Sequence, residues 1–296
     1  MAHTIGLVMS DIEHSLFTSI FEGAQEICDD EGFQLIGMNS YSDKSRQYEA
    51  VRHLCQMRVS GILLSSVHDS AAEITLAKEA GIPLVVIDHT NPLSAPIACS
   101  VLENNRAGGE MAAAELIETG RRKLLFVGHS LSDFQAIRER WEGATHYIKH
   151  ANVYSSSTAL NTDIPTLQFT DSGGIMMEDG YAVGQKIVVL PEQERPDAII
   201  AATDFLACGL VNAFIESGQI NVPEDIAIIG MEGNRLDAIC LMPLTVIQSP
   251  GNDMGRQAMR QLLNEMDSPS SHLHATLSLM PTLVRRSTTP RRNEHN

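Results

Sequence analysis

The stretch INVPEDIAIIGMEGN, residues 220–234, decides the reading of the fold. Four consecutive apolar residues, Ile226 to Ile229, run into Gly230. An apolar run without alternation is what a strand needs when both faces of its sheet are covered, as in parallel α/β sheets. Glu232 follows two positions later, with Gly233 and Asn234 behind it. In an open parallel sheet the crevice at the carboxyl ends of the strands is where ligands bind. The stretch thus predicts a buried strand that ends by turning a carboxylate outward, either as a ligand hook or as a solvated loop acid.

Working outward, the same pattern recurs. Upstream, DAIIAAT (197–203) reads as a strand and FLACGLVNAFIESG (205–218) as a helix. From the start of the chain, TIGLVM, FQLIGM, GILLSS and IPLVVIDH are strands. The amphipathic helices SLFTSIFEGAQEICDDEG, SRQYEAVRHLCQMR and SAAEITLAKEAG separate them. The rhythm falters between Thr90 and Ser100 and then resumes with RAGGEMAAAELIETG, KLLFVG and DFQAIRERWEGATHYIKH. ANVYSSSTALNTD (151–163) reads as a loop region and DGYAVGQKIVVL (179–190) as a helix. PLTVIQSP is a crossing strand, GNDMGRQAMRQLLNEM a helix, and ATLSLMPTLVRRST (275–288) one closing extended segment. Strand–helix repetition in two successive blocks predicts two doubly wound α/β lobes.

Composition agrees. A chain of 296 residues suits two lobes of ordinary domain size, and 43% hydrophobic content allows a buried interior. No apolar run approaches the ~18 residues that span a bilayer. The start, MAHTIGLVMSDI, carries no secretory signal pattern and leads straight into a strand, so a cytoplasmic protein is expected. The five cysteines, Cys28, Cys55, Cys99, Cys208 and Cys240, are scattered and form no CxxC, which reads as reduced core thiols. The formal net charge is −16, and the last twelve residues carry +3, so the body carries −19. An acidic body repels phosphates and makes the chain by itself a poor nucleic-acid binder.

Catalytic signatures fail one by one. GHSLS (128–132) lacks the second glycine of a nucleophile elbow, and neither a GxxxxGK[ST] loop nor GxGxxG occurs. His146 and His150 have metal-pair spacing but no visible third ligand, and HLH at 272–274 reads as an exposed turn. No metal or cofactor site is expected. Gly108 and Gly109 at a helix start could admit a phosphate, with tight helix packing as the simpler reading. What remains is a set of acids just past strand ends: Asp11, Asp88, Asp204 and Glu232. Each alone reads as a helix cap or loop acid. Together they would face one crevice, where carboxylates accept paired hydrogen bonds from vicinal hydroxyls.

The ordered set of these segments resembles the effector-binding core of LacI/GalR-type bacterial transcription regulators, a periplasmic-binding-protein-like fold. TIGLVMSDIEHSLFTSIFEGA resembles the opening strand and helix, and RVSGILLSS, GIPLVVIDH and NNRAGGEMAAAELIETGRRKLLFVG continue the first lobe. RERWEGA is similar to an R-x-x-G signature, with Arg140 and Gly143 in its two places. RPDAIIAATDFLACGLVNAFIESGQINVPEDIAIIGMEG is the strongest block, and PLTVIQSPGNDMGRQAMRQLL and LVRRST complete the match.

The resemblance implies two cross-connected Rossmann-like lobes. One comprises residues 1–120 and 249–272, the other 121–248 and 273–290, with 291–296 as a tail. It implies a ligand pocket of Asp11, Phe17, Phe134, Arg140, Ile175, Asp204 and Glu232, the last standing where the family usually has Asp. Departures include His14 and Ser15 for the usual Asn-Pro, Ile175 for an aromatic ring, Asn104 for Asp and Ala144 for Phe or Tyr. The implied activity is binding rather than catalysis. A small-molecule effector would bind between the lobes of a homodimer and control operator DNA through an N-terminal helix-turn-helix. That head is expected to be missing here, because "MA" set directly before a core strand reads as a cloned start. Three carboxylates against one guanidinium favour a neutral sugar or polyol over a phosphorylated or dicarboxylate ligand. A nucleobase ranks second because of the aromatic pair. The competing readings are a solute-binding protein of a sugar transporter and an α/β enzyme acting on sugars.

Overall fold

The structure, a computed structural model, describes residues 3–12, 14–66, 69–89, 97–157, 164–233 and 240–290, with only the backbone described for 151–157. Along the chain, β1 (Thr4–Met9), α1 (Ser15–Glu31), β2 (Gln34–Asn39), α2 (Lys44–Met57), β3 (Gly61–Ser65), α3 (Ala71–Glu79), β4 (Leu84–Ile87) and β5 (Cys99–Glu103) come first. Then follow α4 (Asn105–Glu118), β6 (Lys123–Gly128), α5 (Gln135–Ser157), β7 (Thr166–Asp171), α6 (Met177–Val188), β8 (Ala198–Ala201), α7 (Asp204–Ser217) and β9 (Ala227–Glu232). β10 (Thr245–Gln248), α8 (Gly251–Asp267), β11 (Thr276–Leu279) and β12 (Thr282–Val284) close the fold.

The chain divides into two units, Met1–Glu103 with Pro250–Leu279, and Asn104–Ser249 with Met280–Asn296. Each is built on a six-stranded sheet, ordered β11-β5-β4-β3-β1-β2 in the first and β12-β10-β9-β8-β6-β7 in the second. All pairings are parallel except β10 with β12. In each sheet the first and second strands of the unit run one way from the start and the later strands the other. That order creates a switch point at the carboxyl ends of β1 and β3, and again of β6 and β8.

The continuous apolar runs become strands because helices cover both faces. Every residue of β8 and β9 is buried. Ile199, Ile200, Ile228 and Ile229 are fully enclosed, each worth about 1.5–3 kcal/mol relative to exposure. Between these strands, Thr203 opens α7 by accepting the Leu206 N–H at 3.2 Å, and Gly218, at φ 60°, closes it in the left-handed conformation that a residue with Cβ disfavours.

Several features differ from the sequence expectation, among them residues 151–157, read as loop, whose backbone continues α5. The break between units falls before Asn104, not after residue 120, because α4 packs on the second sheet, with Ala112, Ala113 and Leu116 in that unit's core. A Cβ on Gly109 would lie 1.9 Å from the Arg140 carbonyl oxygen, so close α4–α5 packing, rather than a phosphate, explains this glycine. The closing segment is two strands in two different sheets. β11 continues the first sheet beside β5, while β12 joins the second, and Arg285 just past it forms a double hydrogen bond with the buried Glu115 carboxylate of α4, each at 2.7 Å. Finally, Cys208 and Cys240 form a disulfide where reduced thiols were expected. They lie 32 positions apart, and only the tertiary fold brings α7 against the segment before β10. Cys28, Cys55 and Cys99 are free thiols. Among the described residues no helix is long and apolar enough to cross a membrane.

Candidate functional site

In the second unit three charged side chains from separate segments are buried together at the carboxyl ends of the strands. Arg140 lies in the second turn of α5, after β6; Asp204 is the first residue of α7, after β8; Glu232 is the last residue of β9. They are 3%, 1% and 8% exposed. The Arg140 guanidinium donates through Nε to Asn105 Oδ1 at 2.7 Å and through Nη1 to the Ala202 carbonyl at 2.8 Å, and lies 3.5 Å from Glu232 Oε1. It therefore bridges α4, the end of β8 and the end of β9 at the switch point of this sheet. Burial of such an ion pair is costly unless further hydrogen bonds satisfy it, and here two neutral oxygens do so for the guanidinium.

Glu232 does not turn outward as the sequence suggested. Its backbone adopts φ 137°, an arrangement rare for a residue with Cβ, and its carbonyl accepts the Ser249 N–H at 2.8 Å. The chain thereby turns at the strand end while the side chain stays beside Arg140. Asp204 accepts the Gly233 N–H at 2.8 Å, which ties the start of α7 to the turn after β9. A carboxylate at a helix N-terminus is also favoured by the helix dipole.

Of the other expected ligand residues, Phe134 and Ile175 are half-buried against the core of this unit. The Phe134 ring lies 5.9 Å from that of His129, and the Ile175 carbonyl accepts the Thr203 hydroxyl at 3.0 Å. Asp11 and Phe17 belong to the first unit. Asp11 is half-buried just past β1, while Phe17 packs in that unit's core on α1, its ring 5.5 Å from His14.

Two features escaped the sequence reading. Asn105, which positions Arg140, sits beside Asn104, whose side chain caps α4 by accepting the Ala107 N–H at 3.0 Å. The tandem asparagines were the available signal. His129 Nδ1, just past β6, meets Oδ1 of Asp171, the last residue of β7, at 2.8 Å, and this bond, together with the Gly173 N–H, holds the Asp171 carboxyl below its ordinary range. No motif marks that pair, because the two residues meet only through parallel strand register. His146, whose helical spacing with His150 invited a metal reading, has Glu110 Oε1 3.0 Å from its Nδ1.

Residues 113–289 match the family described as periplasmic binding protein-like domain. The chain belongs to that family. It is 29% identical to the HTH-type transcriptional repressor PurR of Vibrio vulnificus (strain CMCP6) over 98% of this chain and 82% of the relative. Its fold is similar to that of a LacI family transcriptional regulator from Enterococcus faecium with bound ribose, at TM-score 0.80 and 22% identity over 97% of this chain and 98% of that one. It is equally similar to a periplasmic binding protein/LacI transcriptional regulator from Alkaliphilus metalliredigens QYMF complexed with D-xylulofuranose, at TM-score 0.80 and 21% identity over 98% and 100%. This periplasmic binding protein-like chain thus has the fold of LacI-family effector domains, and its relatives are transcriptional regulators rather than enzymes.

Proposed function

We propose that the chain is the effector-binding part of a LacI/GalR-type transcription regulator and binds a small neutral ligand, a sugar, with Arg140, Asp204 and Glu232 among its ligand residues. The buried Arg140–Glu232 contact at the switch point carries this reading. One guanidinium with two carboxylates offers donors and acceptors for hydroxyl groups without excess positive charge to recruit a phosphate. Phe134 and Ile175, half-buried in the same unit, supply apolar surface. The ribose and D-xylulofuranose bound to two proteins of this fold support the ligand class. In the same reading the chain works as a homodimer.

A melting-temperature screen against pentoses, hexoses, polyols, nucleobases and sugar phosphates tests the assignment. A neutral sugar at a hundredfold excess over its dissociation constant stabilises by about 2.7 kcal/mol and should give the largest shift. That shift should vanish in Glu232→Gln while the variant stays folded. A nucleobase or a sugar phosphate as the tightest ligand overturns the sugar assignment.

A further inference from the structure

A second cluster lies in the first unit, at the opposite, amino-terminal end of its strands. Cys99 opens β5, Glu265 lies in the last turn of α8, and His272 and His274 stand just before β11. Cys99 Sγ is 3.1 Å from His272 Nε2 and 3.8 Å from His274 Nδ1, and His274 Nδ1 is 4.0 Å from Glu265 Oε2. One donor atom from each of the four residues falls within a 4.8 Å set. Among the described residues no other group of three or more potential ligands is so disposed.

We propose that Cys99, Glu265, His272 and His274 form a binding site for a divalent transition metal, Zn²⁺ in particular. Three observations carry this. The donor set is one thiol, two imidazoles and one carboxylate, which suits zinc and its neighbours and not the oxygen-seeking Ca²⁺ or Mg²⁺. Bond lengths of about 2.0–2.3 Å in a tetrahedral site put donors roughly 3.3–3.8 Å apart, so these side chains need only small movements to close on an ion. Glu265 Oε2 is a buried carboxylate oxygen with no hydrogen-bond partner among the described residues, which a cation would satisfy.

The local chain favours the arrangement. His272 and His274 flank the exposed Leu273 as the chain becomes extended, and alternate residues of an extended segment share a face. A bound ion would fasten the end of α8 and the α8–β11 connection to the start of β5. It would do so without any residue of the sugar site proposed above, and it does not rest on that reading. The alternative pair His146 and His150 is the weaker candidate, since Glu110 beside His146 also lies 3.9 Å from the Arg106 guanidinium.

The test uses the whole chain, stripped with chelator and kept in phosphine reductant, titrated with Zn²⁺ by calorimetry and with Co²⁺ by absorption. Expected are one saturable equivalent at micromolar or tighter affinity, a raised melting temperature, and a sulfur-to-cobalt charge-transfer band. Cys99→Ser should abolish the band. His274→Ala, at a partly exposed position that tolerates truncation, should weaken binding by more than about tenfold, the scale lost with mere outer-shell partners. His146→Ala should change nothing. Absence of saturable binding, or binding and a charge-transfer band that survive in folded Cys99→Ser and His274→Ala proteins, overturns the proposal.

Discussion

The polar clusters of the two units sit at opposite ends of like-built sheets and differ in how their charge is handled. In the second unit, at the carboxyl ends, Arg140 is buried with an asparagine oxygen, a carbonyl and the Glu232 carboxylate around it. In the first, at the amino ends, a thiol, two imidazoles and a carboxylate gather without a guanidinium. The first kind of cluster is held together by its own residues and should be costly to break. The second should contribute little until an ion joins it.

The largest effect is expected from removing the guanidinium. Arg140→Ala removes the guanidinium 3.5 Å from the buried Glu232 carboxylate and should destabilise the second unit by about 3–5 kcal/mol. Urea unfolding reads the loss. Arg140→Ala combined with Glu232→Ala should cost less than the sum of the single changes, the coupling expected of residues in contact. Additive costs would mean that the 3.5 Å contact does not hold the site together.

A thiol buried in the first unit's core gives a smaller and pH-dependent effect. Cys28 is fully enclosed with its sulfur 3.8 Å from Met259 Sδ, and burial pushes its pKa up to about 11. The folded state thus favours the protonated thiol. The stability this confers is intact below the thiol's ordinary value of 9.0 and is lost as pH rises through about 11. A shift of that size corresponds to about 2–3 kcal/mol. Comparing wild type with Cys28→Ala by denaturation at pH 8 through 11 should show the gap narrowing with pH. A constant gap would refute the assignment.

The smallest effect sharpens the contrast most. In the presence of chelator, His274→Ala should alter stability by no more than about 0.5 kcal/mol, as at other exposed positions. With Zn²⁺ added, the wild type should gain more stability than the variant. Equal melting curves with and without the ion would erase the difference between the two clusters.

Much of the site was legible before any coordinates. Glu232 and Asp204 were marked by standing just past apolar runs, and Arg140 by the resemblance of RERWEGA to a family signature. What escaped was partnership. The carboxylate of Glu232 was read as facing outward, yet it is buried, because Arg140 reaches it from a helix 92 positions upstream. The Cys208–Cys240 disulfide was read as two reduced thiols for the same reason, since neither spacing nor local composition records a contact made across the fold.

The sequence by itself determined the strand–helix alternation and the parallel character of the sheets. It also determined which strand ends carry charge. These properties depend on neighbours within a few positions, through apolar runs that demand covering and caps that stop helices. The tertiary structure alone decided that α4 belongs to the second unit and that the last extended segment divides between two sheets. It alone decided that Cys99 lies beside His272 and His274, 173 and 175 positions away. Strand order and register place such residues together, and a side chain's own surroundings in the chain hold no trace of which distant strand will lie alongside.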